Sequence, residues 1–181
     1  MAIIRITTPS IADDAIDNTK LDLGDDYTFT GTVEGAGGGI FESQLLHVRD
    51  EKAQGTDGGG SGNGVLTRDL NTVKVNEITG ASLSSNQITL PSGTYYVEGM
   101  TSAFVPSDTQ LYLYNVTDSS FEVDGLSLTN NVPLMSGRFT ISAQKVFEIR
   151  YNSSNGEPTG RGRNSNESTE VYTDVKIWKV A

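Results

Sequence analysis

The sequence contains no cysteine, and its 181 residues include one histidine and one tryptophan. Without cysteine, neither disulfides nor thiolate metal sites can hold the fold together, so stability must come from packing, bound ions or oligomerisation. Cationic residues are also scarce, because 13 lysines and arginines are outnumbered by 23 acidic residues, giving a net charge of -10. Such a surface repels phosphate groups, which argues against nucleic acid and anionic membranes as partners.

Long apolar runs are missing as well. The N-terminus, MAIIRITTPSIADD, lacks the apolar stretch of about 7–15 residues that a signal peptide needs. We therefore expect neither a signal peptide nor a membrane span, and synthesis in the cytosol.

What the sequence does contain is glycine and short alternating segments. Its 20 glycines and 35% hydrophobic content suit short strands joined by tight turns. Turn signals recur about every 8–12 residues, which is the spacing of an antiparallel sandwich. The alternation predicts ten strands after residue 40 and no helix: Gln44–Arg49, Val65–Asp69, Thr72–Glu77, Gln87–Leu90, Thr94–Val105, Gln110–Asn115, Phe121–Val123, Gly137–Ala143, Lys145–Tyr151 and Val171–Val180.

The last predicted strand, VYTDVKIWKV, has two distinct faces. The mostly aliphatic set, which we expect to be buried, is Val171, Thr173, Val175, Ile177 and Lys179. Trp178 lies on the opposite face and needs another surface to cover it. Tyr95 and Tyr96 likewise point to opposite faces of one predicted strand. Aromatic side chains therefore lie on both faces of the strands, and one core can bury only one of these faces. A second buried surface is expected.

Residues 1–40 differ from the rest of the chain. Ala2–Thr7 is a short β-prone run, Ser10 with Asp13 predicts a short helix that reaches Lys20, and Tyr27–Val33 alternates as a strand. Glycines follow at GAGGG, residues 35–39, and mark a hinge. We therefore predict an arm of residues 1–40 and a main domain of residues 41–181.

The predicted arm requires a partner surface. Isolated helices shorter than about 12 residues are marginal in water, so this segment must dock on something. Its candidate anchoring contacts are Ile4, Ile11, Ile16, Leu21, Leu23, Tyr27 and Phe29.

Few residues suggest catalysis. His47 is followed three residues later by Asp50, but the sequence contains no G-x-S-x-G motif that would supply the nucleophile of a catalytic triad. A structural or surface histidine is therefore favoured. GAGGG and the glycine-rich loop Gly55–Gly64 lack the Lys-Ser/Thr of a phosphate loop, so flexible turns are favoured. A pair of carboxylates for glycoside hydrolysis is kept as an alternative, because the distance between two carboxylates cannot be read from a sequence. We expect a protein without enzymatic activity and without a cofactor.

Two groups of charged residues are candidate ligand sites. Acidic clusters at residues 13–17 and 22–26 offer oxygen ligands for calcium, but the EF-hand pattern is absent and a solvated acidic face is favoured. Arg161 and Arg163, in the polar loop Asn152–Ser168, are of a type that grips carboxylates or phosphates, although solvated arginines are favoured there. We predict no metal site.

The order of several segments resembles a known family. The segments LLHVRDEKAQGTDGGG, TRDLNTV, ITLPSGTYYVEGMTSAF, LYLYNVTDSS and SGRFTISAQKVFEIRYN are similar to jelly-roll domains of bacteriophage tail fibres and other virion surface proteins. Those domains resemble the trimeric jelly roll of the tumour-necrosis-factor and complement type. The matching residues are Leu90, Pro91, Gly93 and Tyr95, followed by Leu111, Tyr112 and Leu113.

The resemblance covers residues 41–181, and Ile11–Val33 looks like the arm that precedes such domains. It implies an all-β, antiparallel jelly-roll sandwich that forms a homotrimer. The candidate trimer-interface residues are Tyr96, Tyr112, Tyr114 and Trp178.

Two roles on a virion surface follow from this resemblance. In the first, the trimer is a capsid decoration (cement) protein whose arms bind the major capsid protein. In the second, the arm docks on tail proteins and outer loops, including Asn152–Ser168, bind a host-surface glycan. The short chain lacks a repeated shaft or a coiled coil, which favours capsid decoration.

Overall fold

The computed structural model describes residues 44–104, 108–129 and 132–180, and the predicted arm with its seven anchoring residues lies outside them. The described residues contain no helix, and therefore none long and apolar enough to cross a membrane. They form twelve strands: β1 (Gln44–Lys52), β2 (Gly64–Thr67), β3 (Thr72–Asn76), β4 (Ser82–Ser84), β5 (Gln87–Leu90), β6 (Gly93–Thr101), β7 (Asp108–Asn115), β8 (Ser120–Asp124), β9 (Leu128–Thr129), β10 (Leu134–Ile141), β11 (Lys145–Ser153) and β12 (Glu170–Lys179).

The strands build two antiparallel sheets. A five-stranded sheet has the order β10-β6-β12-β1-β3. A seven-stranded sheet has the order β4-β5-β11-β7-β8, with β2 also paired to β11 and β9 to β7. The chain crosses between the sheets several times, as in a jelly roll, and the predicted all-β sandwich is confirmed.

The core lies between the sheets because each long strand alternates with period two. In β6, Tyr95 and Val97 are fully buried while Tyr96 and Met100 point outward. Phe139 links the two layers: its ring lies 5.4 Å from that of Tyr95 and 5.5 Å from that of Phe147. The Tyr95 hydroxyl also donates to the Pro91 carbonyl at 2.7 Å, which ties the Leu-Pro-x-Gly-x-Tyr turn to the core.

All ten predicted strands are present; β5 has its predicted bounds and the other nine have changed ends. β10 begins at Leu134 rather than Gly137 because Leu134 and Ser136 pair with β6. β6 ends at Thr101, opposite the point where Tyr172 interrupts the regular pairing of β12. The Ser102 amide still binds the Tyr172 carbonyl, and the Ser102 hydroxyl binds the Arg161 carbonyl. The two short strands β4 and β9 were not predicted, since two or three residues carry no measurable alternation.

One prediction about the last strand is wrong. Thr173, Val175 and Ile177 are buried as expected, but Val171 is 39% exposed and Tyr172 is buried in its place. The cause is a bulge in β12: Thr173 pairs with Asp50 and Val171 with Glu51, so Tyr172 is the extra residue. A bulge shifts the alternation by one residue, which exchanges the two faces beyond it.

Candidate functional site

The outward surface of the five-stranded sheet carries an apolar patch, which we call the five-stranded face. Its members are Tyr96, Met100, Leu134, Val171 and Trp178. Met100 is 57% exposed and Leu134, its cross-strand partner, 41% exposed. Tyr96 and Trp178 are also cross-strand partners, with ring centroids 6.0 Å apart. The outward Glu98 separates the two pairs along β6, so the face carries two neighbouring apolar clusters. Exposed apolar clusters are typical of association surfaces.

Two open grooves flank Met100 on this face. One, of about 330 Å³, lies between Met100, Leu134 and Lys176, and the other, of about 380 Å³, lies between Met100, Arg49 and Val171. Asp174 lines both. The grooves make the surface irregular, so a partner needs protruding side chains to fill them.

The charged groups on β1 and β12 of the five-stranded face pair with one another. Asp174 is the centre: its Oδ1 lies 3.0 Å from His47 Nε2 and its Oδ2 accepts from Arg49 Nε at 2.6 Å. Lys176 Nζ lies 3.8 Å from the same carboxylate, and Arg49 also reaches Glu51 at 3.5 Å. Glu98 on β6 and Arg138 on β10 are outward on the same face and form no ion pair with any other described residue, so burial of this face also has to accommodate these two charges.

His47 is therefore part of a surface ion-pair network. Its carboxylate neighbour is Asp174 on β12 and not Asp50, because residues three apart in a strand lie on opposite faces. Asp50 points inward and is fully buried.

The outward surface of the seven-stranded sheet carries a second aromatic group, which we call the seven-stranded face: Tyr112, Tyr114, Phe121, Glu148 and Arg150. The Phe121 ring lies 4.7 Å from that of Tyr112 and 5.2 Å from that of Tyr114, centroid to centroid. Phe121 is 49% exposed. Arg150 stacks on Tyr114, with its guanidinium carbon 3.5 Å from the ring centroid.

Glu148 holds Arg150 in that position. Its Oε2 accepts from Arg150 Nε at 2.8 Å and from the Thr67 hydroxyl at 2.8 Å, while Gln87 Nε2 donates to Oε1 at 3.0 Å. Burial alone would raise the pKa of Glu148, but these hydrogen bonds outweigh burial and keep the pKa below its usual value. The polar part of this face is thus fixed in place before any ligand arrives.

The glycine-rich loop lies at one end of the sandwich, which we call the loop end, and it is hydrogen-bonded rather than free. The Gly58 amide binds the Gly162 carbonyl at 2.9 Å, the Arg161 amide binds the Gly59 carbonyl at 3.0 Å, and the Ser61 amide binds the Glu157 carbonyl at 2.9 Å. Glycine is required at Gly58, because a Cβ there would lie 2.8 Å from the Arg161 carbonyl oxygen. These contacts join Gly55–Gly64, which forms a turn and irregular backbone as predicted up to Gly62, to the polar loop Asn152–Ser168 at several points.

Arg161 is likewise not simply solvated. Its Nη1 donates to Asp69 at 2.7 Å and its Nη2 to the Thr67 carbonyl at 3.1 Å. Arg163 is exposed but lies over the ring of Phe104, 4.4 Å from the centroid. Both arginines therefore pack the polar loop onto the sandwich.

Beneath the loop end, Arg68 is completely buried. Its Nη2 donates to the carbonyls of Arg161 and Tyr172 at 3.1 Å, and its Nε donates to the Thr173 hydroxyl at 3.2 Å. Its guanidinium lies 4.9 Å from the Tyr151 ring centroid. Burial lowers the pKa of Arg68 to about 10, so it stays charged at neutral pH. One side chain thus links β12 to the overlying loop.

Two carboxylates also fasten the loop end. Glu170 accepts from the amides of Ser165 at 3.0 Å, Asn166 at 2.8 Å and Gly55 at 3.2 Å, and Asp57 accepts from the Asn164 amide at 2.9 Å. The Ser165 amide is the main cause that lowers the pKa of Glu170, and the Asn164 amide does the same for the pKa of Asp57.

We expect acid to loosen the loop end before the sheets. A lowered pKa in the folded state stabilises the fold above the ordinary values of 4.5 for Glu170 and 3.8 for Asp57. That contribution is lost as the pH falls through the lowered pKa values. Hydrogen-exchange protection factors for the amides of Ser165 and Asn166 should therefore drop at acid pH, while that of Val97 in β6 stays high.

A Glu170→Gln variant is the matched control for this prediction. It keeps the side-chain shape but removes the charge, so protection at Ser165 and Asn166 should already be reduced at pH 7 and should change less on acidification. Equal protection in the variant and the unmodified protein at pH 7 would contradict the assigned role of the carboxylate.

The structure divides the predicted trimer-interface residues between two surfaces. Tyr96 and Trp178 belong to the five-stranded face, whereas Tyr112 and Tyr114 belong to the seven-stranded face, on the other side of the sandwich. Sequence reasoning missed Met100 and Leu134 on the first face and Phe121 on the second. Alternation could have identified Met100, which shares a strand face with Tyr96.

Among residues 44–104, 108–129 and 132–180, no three histidine, cysteine or acidic side chains are grouped closely enough to hold a metal ion. The acidic clusters weighed for calcium lie outside these residues.

Comparison with known proteins identifies the fold alone. No protein-family model matches the sequence, and no curated protein is significantly similar to it. Among solved structures, murine APRIL at pH 8.0 is similar with a TM-score of 0.53 and 10% identity, over 76% of this chain and 99% of that chain. The murine APRIL structure at pH 8.5 is similar over the same shares, with 10% identity and a TM-score of 0.51. The predicted jelly-roll fold is thereby confirmed, while the predicted bacteriophage origin remains a prediction.

Proposed function

We propose that this protein is a homotrimeric decoration protein of a bacteriophage capsid, acting by binding rather than catalysis. The virion surface is suggested by the sequence resemblance over residues 41–181. The observation that carries the trimer is the five-stranded face, where Tyr96, Met100, Leu134 and Trp178 form an apolar patch that no part of the described chain covers. In this proposal the partner is a second and third copy of the same chain.

The chemistry of the five-stranded face supports self-association. Interface cores are enriched in aromatic residues and methionine and depleted of unpaired charge. Tyr96, Trp178 and Met100 meet the first condition, and the network around Asp174 meets the second for the charges on β1 and β12. Glu98 and Arg138 take their ion-pair partners from the neighbouring copy in this proposal. A closed ring of identical copies buries such a patch on every subunit without leaving one exposed.

A double variant tests the trimer. Replacing Tyr96 and Met100 with glutamate places two like charges on one strand of the five-stranded face, where both side chains already point outward. We expect the unmodified protein to sediment with the mass of three chains and the variant with the mass of one. A monomeric unmodified protein, or a variant that remains trimeric, would overturn the proposal.

Phe121→Glu is the matched control for this test. Phe121 is similarly exposed but belongs to the seven-stranded face. The control should remain trimeric, with the β-sheet circular dichroism of the unmodified protein. Dissociation of the control instead would place the interface on the other sheet.

Attachment to the capsid is assigned to the arm, through its seven apolar and aromatic residues from Ile4 to Phe29. Three arms acting together raise the avidity well above that of one arm. Deleting residues 1–33 should therefore leave a folded trimer that no longer binds capsids. Full occupancy of capsids by the truncated protein would refute anchoring by the arm without affecting the trimer.

A tail-fibre or receptor-binding protein is the second candidate. The aromatic residues of the seven-stranded face favour it, because they lie on the opposite sheet from the proposed trimer interface and stay available for another ligand.

A further inference from the structure

The seven-stranded face combines exposed rings with fixed polar groups. Phe121 is 49% exposed and lies between Tyr112 and Tyr114, with rings tilted by 46° and 72° to its own. Arg150 covers Tyr114, so the accessible aromatic surface is formed chiefly by Tyr112 and Phe121. Aromatic rings that stand beside polar side chains suit ligands that have both an apolar and a hydrogen-bonding side.

The polar groups around these rings are preorganised. The Tyr112 hydroxyl donates to Gln110 Oε1 at 2.9 Å, and Gln110 Nε2 donates to the Gly125 carbonyl at 2.9 Å. On the other side, Arg150 is held by Glu148. Side chains already fixed in one geometry lose less entropy when a ligand binds.

The charges of this region select against anionic ligands. Arg150 is paired with Glu148 at 2.8 Å, and Lys145, at the start of β11, is paired with an aspartate at the β7–β8 turn at 2.6 Å. Two more carboxylates, Glu122 and Asp124, belong to the strand that carries Phe121. An acidic surface with its nearby cations already paired repels phosphates, sulfates and acidic sugars.

We propose that the seven-stranded face binds a neutral oligosaccharide, with Phe121 and Tyr112 packing against the apolar face of a sugar ring. The rings supply apolar contact, and the amides and carboxylates around them accept and donate hydrogen bonds to hydroxyl groups. The proposal deepens the second candidate function, by naming a site on the sheet rather than in the loop Asn152–Ser168. It is independent of the trimer, since the five-stranded face takes no part.

A panel of immobilised neutral oligosaccharides of glucose, galactose, mannose, rhamnose and N-acetylglucosamine, alongside sialylated and uronic-acid oligosaccharides, tests the proposal with the full-length protein. We expect binding to at least one neutral oligosaccharide, with a dissociation constant in the millimolar range or tighter by calorimetry. Phe121→Ala should weaken it by about tenfold or more, equivalent to a loss of about 1.4 kcal/mol.

Controls separate this proposal from the proposed trimer. The Tyr96→Glu/Met100→Glu variant should retain the intrinsic affinity for the oligosaccharide, whatever its oligomeric state. Phe121→Ala should keep the circular dichroism spectrum and mass of the unmodified protein. The proposal is overturned if no neutral oligosaccharide binds at about 10 mM, the weak end of the range considered. Binding of acidic oligosaccharides only, or unchanged affinity in Phe121→Ala, would overturn it as well.

Discussion

Replacing Arg68 with methionine is expected to lower the free energy of unfolding by about 3 kcal/mol or more, because each buried acceptor left without its donor costs about 1–3 kcal/mol. The variant loses the hydrogen bonds to Arg161, Tyr172 and Thr173. Asp50 keeps its own cation in this variant, because Lys52 Nζ lies 3.1 Å from its Oδ1. Urea unfolding followed by circular dichroism measures the change.

Arg163→Met is the matched control, since Arg163 is an exposed arginine in the loop that lies over Arg68. Losing its contact with Phe104 should cost below about 1 kcal/mol, the value for exposed cation–π pairs. A loss below about 1 kcal/mol in Arg68→Met would refute the role assigned to this side chain.

The second large effect is expected for Gly125→Ala, at the upper end of the roughly 1–3 kcal/mol typical of overpacked sites. A Cβ at Gly125 would collide with the carbonyl oxygen of Leu134 and lie 2.7 Å from that of Leu111. These backbone atoms belong to β10 and β7, one in each sheet, so neither can move without disturbing a ladder. Chemical denaturation of the purified variant measures this change.

Gly60→Ala is the corresponding control. Its Cβ would meet the carbonyl oxygens of Glu157 and Pro158 at 3.5 Å, an ordinary contact. We expect a change within about 0.5 kcal/mol, as for substitutions without a specific structural conflict. Equal losses of unfolding free energy in both variants would show that adding a Cβ destabilises the protein whatever atoms surround it.

The strands were predictable because alternation is a local signal. β5 matches its predicted bounds, and β11 and β12 begin at or within one residue of theirs, since buried residues such as Phe147 and Ile149 recur with period two. The turn before Tyr95 was predictable from its proline and glycine. These features depend on neighbours within a few residues of one another.

The features that were not predictable depend on distant partners. The bulge at Tyr172 arises from the register between β12 and β1, more than a hundred residues apart in sequence. Arg68 is buried because carbonyl groups from two remote segments converge on it, whereas arginine in a turn-rich sequence is usually exposed. Tyr96 and Tyr112 lie on different sheets, and this could not be predicted because alternation within a strand does not show which strands pair.

The assignment of Tyr96 and Phe121 to different sheets bears on how this protein can evolve. No strand contributes to both surfaces, and inward residues lie between them. If the proposed trimer forms through the five-stranded face, selection can diversify the exterior of β7 and β8 while the exterior of β6 and β12 is conserved. Among natural variants of this chain, substitutions should accumulate unevenly, with drift concentrated on one side of the sandwich.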